Sequence, residues 1–198
     1  MRISPTFSAA VLCAVTALTA HAQQPANPGL NRTTPAPVSK LPQGINFAFD
    51  SQNAVTASGI RMKATTQKSN SVSPTEGVIY VTLNINVASR FEAGTTYHCS
   101  VYAIGGIIDT DTGTVDGGLE NANTFAVPSG GKYSCTLKIP YVWTLPSAPG
   151  ADSGLILAFG VSAVNTHSEV QRSTLQVDGI ENLPANGSTS KFTFNVAL

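Results

Sequence analysis

From Ile45 onward, apolar and polar residues alternate along the chain with a period of two. Between Val78 and Val87 one set of alternate positions is apolar, while the other set includes Thr82, Asn84 and Asn86. Similar alternation recurs in the segments 45–49, 97–104, 132–139, 154–165 and 191–198. Successive side chains of a strand point to opposite faces, so each run predicts a β-strand with at least one buried face.

Turn signals separate these runs at short intervals. The strongest are the segment 128–131, Pro-Ser-Gly-Gly, and the Asn186-Gly187 pair. The segment 154–165 is apolar on both faces, which predicts a central strand, and residues 169–177 are expected to pair back onto it. Eight or nine strands in residues 44–198 predict one all-β domain, a single antiparallel β-sandwich with either immunoglobulin-like or jelly-roll topology.

The N-terminal segment has the parts of a secretory signal. Residues 1–22 contain Arg2, an apolar run at 9–18 and the small-residue site Ala20-His21-Ala22. The run is shorter than the roughly 20 apolar residues that span a bilayer, and no later stretch is better suited. Residues 23–43 hold five prolines, which predicts a disordered tether. The expected location is the periplasm or the cell exterior.

Two cysteines belong to the predicted mature chain. Cys99 and Cys135 each lie on the apolar face of an alternating run, whereas Cys13 lies within the signal segment. An even pair in an exported chain predicts a disulfide. The alternative, a redox-active pair, lacks the Cys-x-x-Cys spacing. The disulfide is therefore expected to stabilise the fold.

The charge composition excludes some partners. The chain has eleven basic and eleven acidic residues, and charged residues make up only 11% of it. A neutral chain offers no basic field for nucleic acid or for a membrane surface. Neither partner is predicted.

The stretch 109–121 carries the sharpest acidic motif. Asp109, Asp111 and Glu120 stand at positions 1, 3 and 12 of a calcium loop, with Asp116 between them. The oxygen ligand and the glycine expected at positions 5 and 6 are absent. Residues rich in Asp, Thr and Gly also form plain turns. A loop is predicted, and calcium ligation by these four carboxylates is its functional alternative; no other cofactor is expected.

An aromatic pair follows the second cysteine strand. Tyr141 and Trp143 share the parity of Cys135. Such rings either close one end of a core or stack on a ligand such as a sugar. Both readings stay open on the sequence alone.

The sequence contains no complete catalytic motif. His98 is expected to face away from Cys99, and His167 lies in a predicted turn. A triad of Asp152, Ser153 and His167 can be written on paper, but no Gly-x-Ser-x-Gly or His-Glu-x-x-His motif supports it. The protein is predicted not to be an enzyme.

These features favour an exported, non-catalytic module that binds a ligand or partner. The loops at 109–121 and 145–153 motivate this reading, and a protein or a glycan is the expected partner. The alternative is a structural subunit of a surface assembly, joined through strand addition at an exposed edge. A hydrolase is a third and weaker hypothesis. The oligomeric state stays open.

Overall fold

The computed structural model describes residues 44–62, 75–87, 90–109, 111–143, 153–180 and 183–198. The predicted signal, the predicted tether and residues 145–152 of one predicted loop lie outside this range and remain predictions. The described part is all-β, and it contains no helix able to cross a bilayer. Its eleven strands are β1 (Asn46–Phe49), β2 (Val55–Ser58), β3 (Arg61–Met62), β4 (Thr75–Asn86), β5 (Thr96–Asp109), β6 (Thr114–Phe125), β7 (Val127–Ser129), β8 (Lys132–Trp143), β9 (Ser153–Val164), β10 (Val170–Ile180) and β11 (Ser188–Ala197).

A four-stranded sheet has the order β11-β4-β8-β7. Strand β4 pairs antiparallel with β8 along eleven residues and parallel with β11 along ten. The turn between β7 and β8 uses Gly130 and Gly131, both with positive φ, as the glycine signal in the sequence indicates. The alternating strand β4 is thus flanked on both sides by strands of similar length.

A five-stranded sheet has the order β10-β9-β5-β6-β3. Strands β5 and β9 lie at its centre, and β10 returns antiparallel to β9 through the turn at residues 165–168, as predicted. The chain passes from this sheet to the other at Ala126, whose N–H donates to the carbonyl oxygen of Tyr97 at 2.8 Å. Near the opposite edge, Thr174 Oγ1 donates to the carbonyl oxygen of Ala197 at 2.9 Å.

One hydrophobic core is shared by the inward faces of these two sheets. It is built from alternate residues of β4, β5, β8, β9 and β11, which explains the period of two in the sequence. The predicted disulfide is present, with Cys99 of β5 bonded to Cys135 of β8. The disulfide therefore links the two sheets through the middle of their common core.

A second, smaller core lies on the other face of the five-stranded sheet. The β1–β2 hairpin covers this face, where Phe47 packs edge-on against Tyr102 at 6.4 Å between ring centroids. The buried hydroxyl of Ser100 accepts a hydrogen bond of 2.7 Å from the N–H of Val55. Strand β9 is buried on both faces because Leu155 and Leu157 enter the first core and Ile156 enters the second.

Three parts of the predicted architecture are wrong. The described residues form eleven strands instead of eight or nine, and a third layer, the hairpin, lies outside the two main sheets. The pairing is mixed, because β11 and β3 run parallel to β4 and β6. The stretch 109–121 is mostly strand β6 rather than a loop, since its glycines Gly117 and Gly118 lie opposite glycines of β5 within a continuous ladder.

Candidate functional site

The four-stranded sheet has one face that points away from the shared core, here called the outer face. Along β4 it carries Tyr80, Thr82 and Asn84, which alternate with the buried residues of the core. Each of these three residues has one cross-strand neighbour on β11 and one on β8. Three cross-strand rows result: Lys191–Tyr80–Lys138, Thr193–Thr82–Thr136 and Asn195–Asn84–Ser134.

Within each of the two neutral rows, a side-chain hydrogen bond connects two neighbouring residues. The hydroxyls of Thr82 and Thr136 lie 3.1 Å apart, and Asn84 Nδ2 donates to Asn195 Oδ1 at 3.4 Å. Neighbouring strands are about 4.8 Å apart and rows repeat about every 6.7 Å along a strand. The three rows therefore span a patch about 10 Å by about 13 Å, in which the two neutral rows present hydroxyl and amide groups.

The row that contains Tyr80 adds charge and an aromatic ring. Tyr80 is half-buried between the exposed lysines Lys138 and Lys191. On its other side along the strands lie Val78 and Pro140, which are direct cross-strand partners. Along the strands, the outer face therefore has an apolar end first, then the row with two lysines and Tyr80, and then the two neutral polar rows.

The outer face is basic, although the whole chain has no net charge. Among the described residues it carries three cations, Lys132, Lys138 and Lys191, against one anion, Glu76. Three of the six described cations therefore lie on this face, and all described acidic residues except Glu76 lie elsewhere. Such an asymmetry favours anionic partners through local charge complementarity.

The aromatic pair predicted from the sequence lies elsewhere. Tyr141 and Trp143 are only 2% and 1% exposed, and they stack on each other inside the core at 4.2 Å between ring centroids. The indole of Trp143 packs against Gly105 and Gly118 of the facing sheet. Burial also raises the pKa of the Tyr141 phenol. The rings thus occupy the core position that was the alternative reading, and they offer no stacking surface to a ligand in solvent.

The acidic motif is a β-hairpin with Asp111 in its turn and the other three carboxylates spread along its ladder. Asp109 pairs with Thr114 at the turn, whereas Glu120 pairs with Ala103, six residues and about 20 Å further along β6. Asp116 lies between them, opposite Ile107. Within the described ranges, no three His, Cys, Asp or Glu side chains form a group suited to a metal ion. Residues 114–120 of the twelve-residue motif are strand paired with β5, so the described carboxylates are not gathered in one loop, and calcium ligation remains a prediction.

Asp109 stabilises the turn of this hairpin, in agreement with the plain-turn alternative for the motif. Its carboxylate accepts hydrogen bonds from the N–H groups of Asp111 and Thr112 at 3.0 and 3.2 Å. Hydrogen bonds from Thr112 and then Asp111 hold the pKa of Asp109 below its ordinary value. Further along β6, burial raises the pKa of Glu120. The two ends of the motif thus have different environments.

The two histidines of the predicted mature chain have separate surroundings. His98 faces away from Cys99, as predicted, and its Nδ1 lies 3.3 Å from the carbonyl oxygen of Asn53 while its ring packs against Phe125. His167 is exposed in the turn between β9 and β10. Asp152, the third member of the triad considered above, lies outside the described residues.

Comparison of the chain with protein-family models, with curated proteins and with solved structures gives no match. Function is therefore inferred from the fold and from the chemistry of its surfaces.

The outer face was only partly visible in the sequence. The alternation places Thr82 and Asn84 on the water-facing side of β4. The same parity recurs around Thr136 and Thr193. What the pattern does not contain is the strand order, because the pairing of β4 with β11 joins segments about a hundred residues apart.

Proposed function

We propose that the protein is an exported, non-catalytic binding module whose ligand docks on the outer face. In this proposal the two main sheets form an immunoglobulin-like or jelly-roll sandwich with an added hairpin. The observation that carries the proposal is the set of three cross-strand rows on β11, β4 and β8. Export is supported by the N-terminal signal pattern and by the disulfide, which is typical of oxidising compartments.

The chemistry of the rows supports binding rather than catalysis. Hydroxyl, amide and ammonium groups on an open sheet make many contacts with a ligand that remains partly in water. Catalysis instead depends on groups held in a concave site from which water is excluded. An extended face is better matched to a chain-like or flat ligand than to a small substrate.

Binding on the outer face is tested with a glycan array and two bulky substitutions. Thr82→Trp places a large side chain in the middle of the rows. It is expected to abolish binding to every glycan of the array that the wild-type protein binds. Gln176→Trp, at an exposed position of β10 in the other sheet, is the matched control and should leave binding unchanged. Equal loss in both variants, or retention in Thr82→Trp, contradicts the proposal.

A structural subunit of a surface assembly is the second candidate. Its support is the long edge strand β10, which pairs only with β9 among the described strands and has eleven residues. Free edges of this length can accept another strand. Sedimentation across a wide concentration range separates the candidates: a stable monomer contradicts assembly, and concentration-dependent polymers support it.

A further inference from the structure

The Lys191–Tyr80–Lys138 row suggests the chemical class of the ligand. The two lysines are exposed and lie on the strands on either side of Tyr80, so their Cα atoms are about 10 Å apart. No ion pair with another described residue occupies either ammonium group. A lysine ammonium is a compact charge on a flexible stem, so the pair can reach anionic groups at different spacings along a chain.

The residues around the two lysines indicate further properties of the ligand besides its charge. Thr82, Thr136 and Thr193 supply hydroxyls, and Asn84 and Asn195 supply amides, which match the donors and acceptors of sugar hydroxyls. Tyr80, with Val78 and Pro140 beside it, offers apolar surface to the faces of sugar rings. A ligand that satisfies all three rows has anionic groups, many hydroxyls and apolar ring faces.

Resting on the proposed function, we infer that the outer face binds an acidic polysaccharide whose carboxylates contact Lys138 and Lys191. Two lysines in one row and a neutral whole chain are too weak a field for nucleic acid, whose affinity depends on neutralising many phosphates. An acidic sugar chain also carries hydroxyls beside its carboxylates, so its binding does not depend on charge neutralisation alone. The hydroxyl and amide rows then contact the uncharged parts of the same chain.

The test uses polygalacturonate and its methyl-esterified form, which share a backbone and differ in charge. We expect isothermal titration calorimetry of the disulfide-intact protein, in buffer with a chelator, to detect polygalacturonate and to find the ester about tenfold weaker or undetectable. Raising the ionic strength from about 0.01 M to about 1 M shortens the screening length from about 30 Å to about 3 Å and should weaken binding. Equal affinity for the ester overturns the inference.

The residues are tested by charge removal. The double variant Lys138→Gln with Lys191→Gln should bind polygalacturonate about tenfold more weakly. The matched control, Arg61→Gln with Arg90→Gln, also removes two exposed cations but lies off the outer face and should retain wild-type affinity. Unchanged affinity in the lysine variant, or an equal loss in the arginine control, contradicts the inference.

The outcomes distinguish this inference from the proposed function. Binding only to uncharged glycans, lost in Thr82→Trp but not in the lysine variant, overturns the acidic class and keeps the outer face as the site. Binding to anionic lipid vesicles but not to polygalacturonate or alginate also overturns it. If no glycan binds and Thr82→Trp behaves like wild type in every assay, both the inference and the proposed function fail.

Discussion

Trp143 explains two of the four glycines that lie opposite each other in strands β5 and β6. Gly105 pairs with Gly118 across the β5–β6 ladder, and a Cβ at either position would overlap the indole ring of Trp143. Glycine normally weakens a strand, and here it makes room for the largest side chain of the core. The packing thus explains both the burial of Trp143 and the glycines at positions 105 and 118.

Gly118→Ala is therefore expected to lower the free energy of unfolding by about 1–3 kcal/mol through overpacking. Urea denaturation measures the change. Gly179→Ala is the control, because a Cβ there meets no atom within 4 Å. Adding Trp143→Leu to Gly118→Ala should recover part of the loss relative to the sum of the single variants. Equal effects of Gly118→Ala and Gly179→Ala would contradict this account.

Asn165 holds the turn between β9 and β10. Its buried side-chain oxygen accepts hydrogen bonds from the N–H groups of His167 and Glu169 at 3.0 and 2.9 Å. Its side-chain nitrogen donates to the carboxylates of Glu92 and Glu169 at 3.3 and 3.0 Å. One amide therefore satisfies two backbone donors and bridges two acidic side chains.

Asn165→Ala should lower the free energy of unfolding by about 1–3 kcal/mol, because buried polar groups lose their partners. Asn165→Asp keeps the oxygen acceptors but adds a third carboxylate beside two others, so it is also expected to be less stable than wild type at neutral pH. His167→Ala removes only an exposed ring and is the control. Thermal unfolding of the three variants checks the order; wild-type stability in Asn165→Asp would contradict the bridging role.

At the scale of elements, the sequence predicted strands better than their partners. Alternation located β4, β8, β9 and β11 because one face of each is buried against the shared core. The Gly- and Asp-rich composition of β6 concealed a strand whose small residues accommodate Trp143. Parallel pairing of β11 with β4 has no local signal, since it depends on contacts between the end of the chain and its middle.

The candidate site was likewise predictable in its individual strands but not in the way those strands pair. Alternation along β4 is enough to predict that Thr82 and Asn84 face water. Their neighbours in the cross-strand rows depend on the pairing of β4 with β11 and β8, which the sequence pattern does not contain. Of the two readings of the aromatic pair, burial in the core agrees with the structure, for a related reason. Tyr141 and Trp143 share parity with Cys135, which correctly indicates the inward face, and that face is closed by the opposite sheet.

A buried polar contact joins the β1–β2 hairpin to strand β5. Ser100 lies in the middle of β5 and accepts the N–H of Val55, and both residues are buried. Ser100→Ala leaves that N–H without its partner and should lower the free energy of unfolding by about 1–3 kcal/mol. Amide exchange at Val55 should accelerate more than exchange in β4.

Thr56→Ala is the control for the hairpin, because Thr56 makes an exposed hydrogen bond to the carbonyl oxygen of Ala48 at 3.3 Å. Its effect on unfolding is expected to stay within about 0.5 kcal/mol. Wild-type exchange at Val55 in Ser100→Ala would show that the Ser100 hydroxyl does not hold the hairpin in place.

At the scale of the whole molecule, the five-stranded sheet has a core on each face, whereas the described residues cover only the inward face of the four-stranded sheet. The hairpin covers Tyr102 and Ile104 on the five-stranded sheet, whereas no described element covers the rows around Thr82. This asymmetry is the structural reason for placing the proposed site on the four-stranded sheet. It also makes the link between the two sheets important, because a rigid face requires a fixed sheet behind it.

The Cys99–Cys135 bond provides that link. The two residues are 36 positions apart, so the bond closes a 37-residue loop, and the chain-entropy model gives a stabilisation of about 4 kcal/mol. Reduction of the wild-type protein should lower its urea midpoint and increase the slope m, because the reduced unfolded chain exposes more surface. Cys99→Ala with Cys135→Ala, measured with and without reductant, is the control and should not respond to it. An oxidised and a reduced protein with the same midpoint would mean that the shared core alone fixes the two sheets, and the disulfide would then have no measurable part in holding the outer face.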